Sequence, residues 1–187
     1  PVISDPESLA LEWVPVAEVD ERPLHPGFAD AWPQLRPLLD VRPAIVVDAA
    51  NVVGAVPDGW WKDRAGATAR LRDRLDAWGR RGVPAREIAL DSTLWHPRIV
   101  LVAEGQARSV EDPAGGADVS CAVEVVRAPG AGDDAIVAAA ASRRDAEDRV
   151  IVVTSDRELG ERATALGAEV RPVRWLLDQL DEADAEP

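Results

Sequence analysis

A chain of 187 residues with 47% hydrophobic content can bury one sizeable core and a small appendage. Its formal net charge of −13, from 34 acidic and 21 basic residues, excludes a protein that grips long nucleic acid by charge alone, because phosphate affinity comes mainly from Lys and Arg. The single cysteine, Cys121, excludes a disulfide within the chain, no apolar stretch approaches membrane-spanning length, and the N-terminus lacks the basic-then-apolar pattern of a signal peptide. A cytoplasmic protein without a membrane partner is expected.

Residues 1–40 differ in texture from the rest. Residues 9–16, LALEWVPV, have strand character, and residues 23–39 hold a Pro-punctuated turn leading to a short helix with Phe28, Trp32 and Leu35 at spacings of four and three. This piece is similar to the C-terminal strand and helix of a Nudix hydrolase domain, without that family's glutamate-rich metal box. The resemblance implies a non-catalytic extension, docked through Trp13, Phe28, Trp32 and Leu35. His25 and His96 each precede a Pro and have no partner at metal-ligand spacing, so both read as structural or solvent-facing.

From residue 44 the pattern becomes strand, turn, helix, repeated. Residues 44–54, AIVVDAANVVG, open as a strand buried on both faces and break at Asp48, with Asn51 three residues on. Asp48 is either a site residue at the carboxyl end of a central strand or the cap of the next helix. Residues 55–64, AVPDGWWKDR, form a loop in which Trp60, Trp61, Lys62 and Arg64 are candidates to clamp single-stranded bases, the alternative being that the tryptophans cover the core. A helix over 65–81 carries Leu71, Leu75 and Trp78 on one stripe and Arg70, Arg74 and Arg81 off it, a solvated face or a phosphate track. Gly82 and Pro84 end it, and residues 85–97 are weakly patterned.

A second apolar run, residues 99–104, ends in Glu104, and Arg108 follows in a glycine-containing loop, as a candidate phosphate contact or a surface arginine. Cys121 lies in the β-rich residues 121–126, which predicts a buried thiol. Residues 130–137, GAGDDAIV, open a helix over 133–144 with Asp133 and Asp134 in its first turn, where carboxylates also suit the helix dipole. A third run, residues 150–156, VIVVTSD, ends in Asp156 after Thr154 and Ser155. Leu159, Ala163 and Leu166 mark a helix stopped by Gly167, residues 169–173 a final edge strand, and residues 181–187 an acidic tail.

Strands alternating with helices predict an α/β fold: a three-layer α/β/α sandwich around a central, mainly parallel sheet over 41–180, with the strand-helix extension before it and the acidic tail after it. Helix capping does not explain an acid at every strand end. Carboxylates gathered at one edge repel one another unless a cation sits among them, and hard oxygen ligands select Mg²⁺ or Mn²⁺.

The motifs VVDAANVVG, GAGDDAIV and VVTSDREL, in that order over residues 44–180, resemble the NYN branch of the PIN-like ribonucleases, in particular its YacP-like group. The resemblance implies a metal-dependent endoribonuclease using Mg²⁺ or Mn²⁺. Carried over residue by residue, it makes Asp48, Asp134 and Asp156 metal ligands, Asn51 the polar residue of the first motif and Asp133 a supporting member of the metal site. Glu104 departs from the Asp usual after the second strand. The implied partner is RNA, which the acidic net charge suggests is presented by a ribosome or another protein, and a homodimer is compatible with the N-terminal helix face. The rival reading is a non-catalytic RNA-binding, ribosome-binding or regulatory module. A response-regulator receiver is excluded because its late-strand lysine is missing, Lys62 being the only lysine; a haloacid dehalogenase is excluded because Ala49 and Ala50 follow Asp48.

Overall fold

The strand β1 (Pro43–Asp48) is buried along its whole length, as its unbroken apolar run requires. Ile45 and Val47 face one layer of helices and Val46 faces the other, so one strand contributes to two cores. The computed structural model describes residues 12–113, 123–145 and 149–185. It divides into two compact units, Pro1–Val41 and Arg42–Pro187.

In the larger unit, β1 is followed by α2 (Ala49–Gly54), α3 (Arg64–Arg81), an antiparallel pair of two-residue strands β2 (Val83–Pro84) and β3 (Leu94–Trp95), β4 (Arg98–Ala103), β5 (Glu124–Arg127), α4 (Gly132–Asp145), β6 (Arg149–Val153), α5 (Arg157–Ala165), β7 (Glu169–Arg171) and α6 (Val173–Ala185). The five longer strands form one sheet in the order β5-β4-β1-β6-β7, and all four pairings are parallel. Asp48 pairs in register with Val102, and Val47 with Val153, so the carboxyl ends of three central strands lie together. One face is covered by α2, α3 and α6 through Val52, Leu71, Leu75, Trp78, Leu176 and Leu180; α4 and α5 cover the other through Ile136, Ala140, Leu159 and Ala163. The fold is the expected three-layer sandwich.

Helix α3 starts where the Asp63 carboxylate accepts the Gly66 amide at 2.8 Å. It stops at Gly82, whose φ of 96° a side chain rarely adopts. Two boundaries near the C-terminus differ from expectation. β7 ends at Arg171, and Pro172 lies between it and α6 rather than within a strand. The residues expected to be an acidic tail belong, through Ala185, to α6. Its apolar stripe of Val173, Leu176 and Leu180 is buried, while Asp181 and Asp184 on the outer face pair with Arg74 at 2.7 and 2.8 Å. Burying the two leucines contributes about 1.5 to 3 kcal/mol each, far more than the exposed ion pairs.

The smaller unit contains a short helical turn (Val16–Glu21), helix α1 (Pro26–Leu35) and a second turn (Arg36–Asp40). No strand occurs among its described residues; 12–15 are irregular. His25 caps α1, its Nδ1 accepting the Gly27 amide at 3.2 Å. Trp32 is buried and gives its indole N–H to Asp20, which also pairs with Arg36 at 3.1 Å. Trp13, Phe28 and Leu35 are exposed, Trp13 at 89%. Cys121 lies outside the described residues.

Candidate active site

Asp48 closes β1 and caps α2, so the two readings its position allowed are not exclusive. Its Oδ1 accepts the Asn51 amide at 3.0 Å, and its Oδ2 accepts the Thr154 hydroxyl at 3.0 Å. Only 7% of the residue is exposed, and Thr154 is buried as well. Thr154 in turn accepts the Asp156 amide at 3.1 Å, which leaves its own proton for Asp48. From the same turn, the Ser155 amide donates to Asn51 Oδ1 at 3.3 Å while Ser155 Oγ accepts the Val173 amide at 3.3 Å. The first and third acidic motifs, and the start of α6, are thereby joined across the β1/β6 edge.

Burial raises the Asp48 carboxyl above its ordinary value of 3.8; the bonds from Asn51 and Thr154 oppose the rise, and repulsion from Asp133 and Glu104 adds to it. Asp133 is therefore the first-turn acid that acts on Asp48. Asp134 turns away: its carboxylate is 78% exposed and accepts Arg162 of α5 at 2.7 Å. Asp156 is exposed and caps α5 by accepting the Leu159 amide at 2.9 Å. Glu104 is half-buried and receives the Gly132 amide on Oε2 at 2.7 Å, bringing the N-terminus of α4 against the end of β4. A Cβ at position 132 would lie 2.7 Å from that oxygen, so glycine permits the approach.

The basic and aromatic candidates separate into two groups. Trp60 is half-buried against the core with the Arg64 guanidinium 5.0 Å over its ring, and both line a cleft of about 100 Å³ that Glu104 also lines. Trp61 stands edge-on to Trp60 at 6.2 Å and is 60% exposed, beside exposed Lys62. By contrast, Arg108 is engaged with the carbonyls of Gly105, Ala128 and Pro129 at 3.2 to 3.3 Å and braces the loop after β4. The arginines of α3 are likewise engaged, Arg70 with Asp58 at 3.1 Å, Arg74 with Asp181 and Asp184, and Arg81 with the Ala183 carbonyl. A larger, mainly apolar cavity of about 510 Å³ lies between α4 and β5, with Asp134 but not Asp48 in its lining.

No protein-family model matches the sequence, and no curated protein matches it. Solved structures do. Rae1 (YacP) from Bacillus subtilis superposes with a TM-score of 0.54 at 19% identity, over 75% of this chain and 75% of that one. A point mutant of the same Bacillus subtilis protein gives 0.55 at 17% identity, over 76% and 77%. The chain has a YacP-like fold. That statement concerns the backbone, because fewer than one residue in five is shared.

Whether this YacP-like edge suits a divalent ion is a question of donors and of placement. The donor chemistry fits: Asp48, Asp133 and Glu104 are oxygen donors of one sign, and the latter two repel Asp48. Their placement does not fit: among the described residues no group of three or more His, Cys, Asp or Glu side chains is placed to hold an ion. Asp134 and Asp156, the ligands expected beside Asp48, are directed to Arg162 and to the α5 cap. The reason is helical phase: with Gly132 pinned to Glu104, the first turn of α4 presents Asp133 to Asp48 and Asp134 to α5. The sequence does signal Thr154, as a hydroxyl directly after an apolar strand and two residues before Asp156.

Proposed function

We propose that this chain is a ribonuclease that hydrolyses single-stranded RNA at the carboxyl edge of its sheet, with Asp48 at the centre and Mg²⁺ or Mn²⁺ as cofactor. The observation that carries the proposal is Asp48 itself, a buried carboxylate whose two oxygens are oriented by residues of the first and third motifs. Burying a carboxylate this far costs free energy, and a cap alone needs only an exposed one, as Asp63 and Asp156 demonstrate on α3 and α5. Asp48 is the acid at the centre of this edge, and Asp133 and Glu104 are the neighbouring acids that act on it. A divalent ion recruited there would supply charge neutralisation to a phosphodiester and would lower the pKa of a water. Asn51 and Thr154 fix the direction of Asp48, and Trp61, Lys62 and Arg64 border the edge where bases of a single strand would stack. With a net charge of −13, the RNA is short or is presented by a partner such as a ribosome. No helix among the described residues is long and apolar enough to cross a membrane.

The test is cleavage of an end-labelled single-stranded RNA by wild type and Asp48→Asn, with Mn²⁺ and with EDTA. Cleavage that needs Mn²⁺ and falls on the order of 10²-fold or more in the variant is expected. Equal cleavage by both proteins places the chemistry elsewhere. A second reading, a non-catalytic RNA-binding module, is favoured by the Asp134–Arg162 pair, which occupies a carboxylate that the family resemblance makes a metal ligand. It predicts RNA retention on a filter without cleavage in either protein.

A further inference from the structure

Among the buried polar side chains, Asp48, Thr68 and Thr154 are hydrogen-bonded and Gln179 is not. Gln179 stands on α6 between Leu176 and Leu180, on the face that packs into the core, and is 8% exposed. Its amide has no partner among the described residues, yet the side-chain polar atoms there that are both sealed and unbonded belong to Asp76 and Arg171. Solvent therefore reaches the Gln179 amide, and the opening is a cavity of about 310 Å³ that Gln179 lines. A leucine here would continue the apolar stripe of the helix without burying an unpaired amide. The cavity lies away from Asp48. Val173 is held at the carboxyl edge by Ser155, whereas Gln179 and Glu182 belong to the second half of the same helix, and Gly82 and Leu94 come from the segment leading into β4.

We propose that this cavity binds an adenosine 5′-phosphate, either the free nucleotide or the end of an RNA strand. The Gln179 amide offers one donor and one acceptor in a plane, the pair that meets adenine N7 and N6. Guanine shows two acceptors on the same edge, and the Watson–Crick edges of guanine, cytosine and uracil each carry a third polar group that this site would leave unpaired. An uncharged base suits the apolar walls made by Trp78, Pro84 and Leu94, the last of which is 50% exposed. Glu182 also lines the cavity and has no partner among the described residues, so its carboxylate is available to a ribose hydroxyl. Arg81 is committed to the Ala183 carbonyl, whereas Arg86 pairs with its sequence neighbour Glu87 at 3.2 Å, is 77% exposed and can turn to a phosphate. The volume falls at the lower end of small-ligand pockets, roughly 300 to 1,000 Å³. No residue of the carboxyl edge lines the cavity, so the inference stands apart from the ribonuclease reading.

Isothermal titration calorimetry of the full chain with adenosine, guanosine, cytidine and uridine 5′-monophosphates tests the assignment. The adenosine nucleotide should bind on the order of tenfold more tightly than the others. Gln179→Leu keeps the volume and removes the amide, so it should weaken that binding on the order of tenfold. The same variant should melt no lower than wild type, because the amide has no partner in the fold to lose. Asp48→Asn should bind the nucleotide as wild type does. A 5′-phosphorylated oligoadenylate distinguishes the two sources: binding tighter than that of the mononucleotide marks a strand end, and equal or weaker binding marks the free nucleotide. No binding by wild type, equal binding of all the nucleotides, or undiminished binding by Gln179→Leu overturns the proposal. A lower melting temperature of Gln179→Leu also overturns it, since the amide would then be structural, and loss of binding in Asp48→Asn would move the nucleotide to the carboxyl edge.

Discussion

Thr154 and Asp48 meet with their hydrogen bond running in one direction. The Thr154 oxygen accepts the Asp156 amide, a donor that cannot reverse, and its proton is passed to Asp48 Oδ2 at 3.0 Å. Asp48 is thus offered two donors, which favours the charged carboxylate, in a site where burial and two neighbouring acids favour the neutral acid. That opposition makes Asp48 sensitive to both partners.

Replacing Thr154 by Val should therefore destabilise the fold beyond its loss of one hydrogen bond. Asp48 Oδ2 and the Asp156 amide would both lose their partner in a site where Thr154 is 2% exposed. The expected loss is about 1 to 3 kcal/mol in urea unfolding at neutral pH. Thr154→Ser keeps the hydroxyl and should lose about 1 kcal/mol for the deleted methyl. A Val variant that unfolds at the wild-type urea midpoint would show the bond to be dispensable.

The pH dependence of stability should carry the signature of Asp48. Its folded-state pKa lies above the ordinary 3.8, so just above that pH the folded protein binds a proton more readily than the unfolded chain does. For this group, stability is highest below pH 3.8, falls as pH rises through the folded-state pKa, and is flat beyond. The free-energy gap between wild type and Asp48→Asn should therefore move against wild type as pH rises from about 3.5 toward neutrality, by about 1.4 kcal/mol per unit of displacement. Taking the difference between the two proteins cancels the carboxylates that do not interact with Asp48. A gap constant across that range would mean that Asp48 titrates as it does in the unfolded chain.

Thermal melts with EDTA and with Mn²⁺ should sort the acids by role. A ligand that binds only the folded state adds RT ln(1 + [L]/Kd), about 2.7 kcal/mol at a hundredfold excess over Kd. Glu104→Gln retains an oxygen for the Gly132 amide but removes a charge that repels Asp48, so it should melt higher than wild type in EDTA and respond less to Mn²⁺. Asp134→Asn loses its partner Arg162 and a favourable charge at the start of α4, so it should melt lower in EDTA with its Mn²⁺ response intact. Equal responses in all three proteins would put any ion away from Glu104.

The central layer was legible because burial on both faces demands unbroken apolar runs, and β1, β4 and β6 have them; the acid after each run marks the carboxyl edge of the sheet. What escaped depends on three-dimensional phase. Whether Asp133 or Asp134 faces Asp48 is set by how Gly132 meets Glu104, 28 residues away in sequence, and no periodicity encodes that angle. Arg162 is equally distant from Asp134, and nothing in the local pattern joins them. Helix α6 was missed because its acids outweighed a short apolar stripe, although Val173, Leu176 and Leu180 stand at helical spacing.

The last expectation follows from that helix. If residues 173–185 were a solvated tail, shortening them would cost almost nothing; as a core element, α6 should be sensitive at its buried stripe and tolerant at its outer face. Leu180, 1% exposed, packs in the same core as Leu75 and Trp78, so Leu180→Ala should lose about 2 to 5 kcal/mol. Asp184→Asn, which weakens only an exposed pair with Arg74, should lose less than about 1 kcal/mol. A chain ending after Leu180 keeps the whole buried stripe and should remain folded, whereas one ending after Pro172 uncovers the face of β1 and β6 that carries Ile45 and Ile151 and should be insoluble or unfolded. Because the Val173 amide is held by Ser155, whose own amide holds Asn51, loosening α6 should also be felt at the acidic edge. Amide hydrogen exchange of residues 48–55 in Leu180→Ala, compared with wild type at equal global stability in urea, measures that coupling, and unchanged protection there would confine α6 to a packing role.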